Sequence, residues 1–82
     1  MSDTPTPRQT SVMQAIDSAR LEERRGPSLS ELARALEISV PGVVGHLLAL
    51  EKKGLATRTG EPYSLALTDS GRRWVRRARR AS

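Results

Sequence analysis

PSLSELARALEISVPGVVGHLLALEKKG, residues 27–54, holds two helix beginnings and one helix end in a single short stretch. Ser28-Leu29-Ser30-Glu31 has the form of a capping box, in which the serine hydroxyl accepts from the third backbone N–H and the glutamate reaches back to the N–H of the cap. Leu29, Leu32, Ala33 and Leu36 then recur at helical spacing, so they share one buried face of a short helix. Glu37-Ile38-Ser39 interrupts it, with Ile38 to plug the turn and Ser39 to cap the next helix. That second helix is predicted over residues 40–53, with Val43, Leu47 and Leu50 as its buried stripe. Gly54 stops it, being suited to the left-handed conformation just past a helix end. Two short helices joined by about three residues make a helix-turn-helix unit.

Upstream, Thr6-Pro7-Arg8-Gln9 is another capping box with proline in the first helical position. Val12, Ile16, Ala19 and Glu23 follow one stripe of that helix, Met13 lies beside it, and Gly26-Pro27 is expected to end it. Downstream of Gly54 the period changes from helical to alternating. Leu55 and Thr57 are expected on one side of a strand and Tyr63, Leu65 and Leu67 on one side of its partner, with Thr59-Gly60-Glu61-Pro62 as the turn. Thr68 then caps a last helix whose packing face is expected to be Trp74, Ala78 and Ala81. The architecture is mainly α with a small β-hairpin: a disordered segment over residues 1–5, then one domain over residues 6–82.

Composition agrees with a small helical domain. A chain of 82 residues buries only about 60 to 65% of its unfolded surface, and its large apolar side chains are ten leucines and five valines with Trp74 and Tyr63 the sole aromatics. It has no cysteine, which excludes disulfides and cysteine metal sites. No apolar run approaches the ~20 residues of a membrane span, and MSDTPTPRQ lacks the hydrophobic segment of a signal peptide, so a cytosolic protein without a membrane partner is expected. Net charge is +5. Residues 1–67 carry eight basic and eight acidic side chains, so the whole excess lies in residues 68–82, which set six arginines against Asp69. Arg72, Arg73, Arg76, Arg77, Arg79 and Arg80 leave three readings open: a solvated face, a contact with a DNA or RNA backbone, or a dock for an acidic partner.

The helix over 40–53 has an unusual outward side. Stepping about 100° per residue from Val43 places Gly42, Gly45 and Ala49 nearly opposite the core stripe, with Pro41 and Lys52 nearby. Each helical glycine costs up to ~1 kcal/mol relative to alanine, which suggests that another body comes close here. If that body is DNA, Val40 or Val44 packs on a thymine methyl and Ser39 or His46 supplies a hydrogen bond. If it is a protein, Pro41, Val44, Gly45 and Leu48 form the docking patch. In a third reading the glycines are merely tolerated.

PSLSELARALEIS and LEKKGL resemble the amino-terminal domain of LexA repressors and the MarR family. LALTDSGRRWV resembles the MarR signature in which a wing strand runs into a Leu-Thr-x-x-Gly-Arg helix start. The resemblance covers nearly the whole chain and implies a winged helix-turn-helix fold in a bacterial or phage regulator of transcription. It places residues 40–53 in the major groove of double-stranded DNA and residues 55–67 as a wing on the backbone. Arg8, Ser28, Lys52, Lys53 and Arg58 would then contact phosphates, with Thr59 beside them on the wing. In the MarR family the terminal helices build a homodimer, and Trp74 with Val75 would do so here. Relatives place serines, threonines and an arginine on the exposed face of the reading helix, whereas this chain has Val40, Pro41, Gly42, Val44, Gly45 and Leu48. A shape-driven nucleoid role, indifferent to sequence, therefore stands beside specific regulation.

Catalysis finds no support. His46, the single histidine, has no metal partner or nucleophile at a useful spacing. Gly42-Val43-Val44-Gly45 matches the GXXG string of KH domains, but that loop joins two helices and here the string falls inside one. No phosphate-binding glycine loop comes after a strand, and no cofactor is implied.

Overall fold

The helices begin where the caps are written. The structure, a computed structural model, describes residues 4–81 and comprises α1 (Pro7–Glu23), α2 (Leu29–Leu36), α3 (Val40–Lys52), β1 (Ala56–Thr57), β2 (Ala66–Leu67) and α4 (Asp69–Ala81). At α1 the Thr6 hydroxyl accepts from Gln9 N and Gln9 Oε1 accepts from Thr6 N, both at 3.1 Å. At α2 the same reciprocal pair joins Ser28 and Glu31, both at 3.0 Å. Gly42 N donates to Ser39 Oγ at 3.2 Å to open α3, and Gly71 N donates to Thr68 Oγ1 at 3.1 Å to open α4. These bonds occupy backbone donors that a helix start otherwise leaves unmatched.

Packing matches the predicted stripes on the first three helices. Val12, Met13 and Ile16 of α1, Leu32 of α2, and Val43, Leu47 and Leu50 of α3 are buried almost completely. Ala19 is half-buried and Glu23 is exposed, so the α1 stripe ends a turn early. The axes of α2 and α3 are bent by 103°, as a helix-turn-helix requires. The third helix is one residue shorter than predicted, with Lys53 as its C-cap and Gly54 at φ 72°.

Elsewhere the sequence reading needs correction. α1 is ended by Arg24, which is itself left-handed at φ 58°, and not by Gly26-Pro27. Gly26 has another duty. Its N donates to Tyr63 O at 3.1 Å, and a Cβ there would lie 2.3 Å from Leu65 O, so only glycine lets the wing backbone come this close.

The wing does not alternate as expected. Its strands are two residues each, paired antiparallel with Ala56 opposite Leu67 and Thr57 opposite Ala66. Leu55 and Ala56 are consecutive and both buried, whereas Thr57 is exposed and Tyr63 is 51% exposed. Leu55 belongs to the end of α3, since its N donates to Leu50 O at 2.9 Å while its O accepts from Thr68 N at 3.1 Å. Tyr63, at φ 60°, turns the chain out of strand geometry before β2.

α4 packs through Gly71 and Val75, the latter 1% exposed, with Trp74 and Ala78 only half-buried and the side chain of Ala81 outside the described residues. A Cβ on Gly71 would lie 2.1 Å from Leu55 O, so the helix is drawn down on the side of its glycine and its packing face is rotated toward Val75. Of the segment expected to be disordered, residues 1–3 lie outside the described residues. In the rest of it, Pro5 is buried and Thr4 O accepts from Lys53 Nζ at 3.1 Å.

Candidate nucleic-acid interface

α3 presents its small-residue side to solvent. A Cβ built on Gly45 meets nothing within 4 Å, and Gly45 is exposed. Ser39 and Pro41 are exposed beside it, Gly42, Val44, His46 and Ala49 are half-buried, and Lys52 is exposed one turn beyond Leu48. Val40 is 38% and Leu48 55% exposed, which gives this side an apolar character. Gly42 differs from Gly45. A Cβ there would lie 3.3 Å from Ser39 Oγ, so part of its space is taken by the cap.

The wing stands against the start of α2, not apart from it. Between them lies a cleft of about 240 Å³ lined by Ser28, Leu29, Arg58, Thr59, Tyr63 and Ser64 among others. Three residues singled out in the sequence, Ser28, Arg58 and Thr59, thus meet around one space. The Ser28 hydroxyl accepts the α2 cap bond, and Thr59 Oγ1 accepts from Glu61 N at 3.1 Å. Glu31 completes this end of α2. Hydrogen bonds from the Ser28 backbone and hydroxyl, then from Arg25, hold its carboxyl below the ordinary range.

Two of the expected phosphate contacts are already engaged. Lys53 Nζ donates to Gln9 Oε1 at 2.6 Å and to Thr4 O, which ties the end of α3 to the start of α1. Lys53, expected as a phosphate contact, is thus tied within the fold in this structure. Arg58 Nε lies 2.9 Å from Glu51 Oε1, an ion pair between wing and α3 that does not satisfy that oxygen as an aligned hydrogen bond. Arg8 is exposed on the first turn of α1.

Sequence reasoning missed Arg25 and Tyr63. The Arg25 guanidinium lies 4.0 Å from the Tyr63 ring centroid and pairs with Glu31 at 3.2 Å, closing one side of the α2 and wing assembly. Nothing in the local pattern marks that pairing, which depends on Tyr63 being left-handed.

The LexA DNA binding domain family matches residues 2–62. This chain belongs to that family. LexA repressors of Thermotoga maritima and Thermotoga petrophila are each 38% identical to it over 66 residues, 79% of this chain and 34% of theirs. The chain thus spans about a third of the length of these relatives. Among solved structures, the transcriptional repressor CouR bound to p-coumaroyl-CoA is similar at TM-score 0.77 and 39% identity, over 94% of this chain and 52% of that one. CouR bound to a 23-mer DNA duplex matches at TM-score 0.75 and 36% identity, over 95% and 55%. MepR, a transcription regulator from Staphylococcus aureus, shares the fold at TM-score 0.75 and 24% identity. The winged helix-turn-helix expected from the residues is the observed fold. The family match ends inside the wing, and the structural matches extend over β2 and α4.

Proposed function

We propose that this chain is a DNA-binding winged-helix regulator of transcription, with α3 laid in the major groove and the wing against the adjacent backbone. The observation that carries the reading is the open space at Gly45 on the outward side of a helix-turn-helix. Side chains trimmed to hydrogen let the helix backbone approach base edges, while Val40 and Val44 supply apolar contact for thymine methyls and Ser39 and His46 supply polar contact. Phosphate contacts fall to Arg8, Lys52, Thr59, Ser28 and Arg58, the last after exchange of Glu51 for phosphate. The family and the duplex-bound CouR structure support the same reading. Two copies joined through terminal helices would set their reading helices about 34 Å apart, one turn of DNA. No catalytic step enters.

The test is Gly45→Leu. The new Cβ enters empty space at an exposed position, so the thermal melt should stay close to that of the parent, while affinity for duplexes selected from a random pool falls tenfold or more. Equal affinity would remove α3 from the interface. The exposed Val40 and Leu48 favour a second reading in which the same side docks a protein. Chemical-shift changes on this face that depend on protein concentration and not on DNA would establish it.

A further inference from the structure

We infer that α4 carries a second phosphate-backbone surface, separate from α3 and the wing. Arg73, Arg76, Arg77 and Arg80 are all exposed and line one concavity on the outward side of α4. Their spacing of three, four and seven residues stacks them along one face of the helix. Their neighbours are accounted for differently. Arg72 pairs with Asp69 and donates to Leu67 O at 3.1 Å, and Arg79 pairs with Asp17 of α1 at 3.1 Å, so those two fasten α4 to the fold. Of the four, Arg77 is held over the Trp74 ring with its guanidinium 4.9 Å from the centroid, and Arg73 donates to Ser70 Oγ at 3.2 Å, neither of which neutralises its charge.

Charge and placement together specify the partner. The chain carries +5, and residues 1–67 are balanced at eight basic against eight acidic side chains, so the excess resides on α4. On the α3 side Lys53 is tied to the N-terminal segment and Arg58 to Glu51. Attraction to a polyanion is therefore strongest away from the reading helix. α1 packs against both α3 and α4, whereas α3 and α4 share no substantial interface. Four like charges at helical spacing repel one another and also resist a two-fold pairing of this face with itself, but repeated phosphates relieve both. A row of planar forks on a rigid helix suits the regular spacing of a duplex backbone.

Two variants and one probe test this with 30-base-pair DNA over a range of salt. With all four arginines changed to glutamine, the slope of log affinity against log salt should become shallower by about 3 to 4, at about 0.9 per phosphate contact. Gly45→Leu should leave a weak arginine-dependent binding. If instead the glutamine variant keeps the parent slope and Gly45→Leu abolishes binding, the inference fails while the reading of α3 stands. If Gly45→Leu changes nothing and the glutamine variant loses all binding, the α4 surface stands and the α3 reading fails. The indole N–H resonance of Trp74 serves as the probe that needs no arginine substitution. It should shift when duplex is added to Gly45→Leu. A resonance that stays fixed overturns the inference, as does arginine-dependent capture of polyglutamate at salt where duplex no longer binds.

Discussion

α3 and α4 are both thirteen-residue helices that bury one side in the same core, and their outward sides are opposites. α3 turns out glycine, valine, alanine and leucine with hardly any charge, and α4 turns out arginine. The first is shaped for closeness and the second for attraction. Reading of bases depends on short distances, whereas attraction to phosphates depends on charge and tolerates distance. A small domain that places the two on different helices can change one without disturbing the other.

The contrast also runs through the two glycines, and it can be broken there. Gly71 faces inward on α4, and a Cβ would collide with Leu55 O at 2.1 Å. Gly71→Ala should lower stability by about 3 kcal/mol or more in thermal or denaturant unfolding, because a backbone atom has to move. Gly45→Ala on α3 adds the same atom to open space. It should raise stability by about 0.5–1 kcal/mol, the ordinary helix preference for alanine, and a loss there would mean that the face is not free. The smallest effect concerns the α2 cap. Because its folded-state carboxyl titrates below the ordinary value, Glu31 adds stability that is complete above the unfolded pKa and is lost as pH falls through the folded one. Glu31→Gln keeps the cap geometry but should show a smaller drop in melting temperature between pH 7 and pH 3 than the parent.

The legible part of the fold was local. The capping pairs Thr6 with Gln9 and Ser28 with Glu31, and the stripe Val43, Leu47 and Leu50, each depend on residues within two turns of one another, and the structure has all of them as expected. The wing depended on distant partners. Alternation failed at Leu55 because its backbone completes α3, and at Tyr63 because its backbone is left-handed, with its carbonyl held by the distant Gly26 N. The role of Val75 was hidden for a related reason: the roll of α4 is set by the approach of Gly71 to Leu55, which no periodicity encodes. At the candidate interface the openness of Gly45 was legible from helical geometry alone. The hydrogen bonds of Lys53 were not, since they required knowing that Gln9 and Thr4 lie beside the end of α3.

Leu55 spends both of its backbone polar groups on neighbours, one on the last turn of α3 and the other on the residue that caps α4. A single residue therefore bonds both to the end of α3 and to the cap of α4. The spacing between the outward sides of α3 and α4 is thus set at one junction residue, where a change of backbone would move both sides relative to each other.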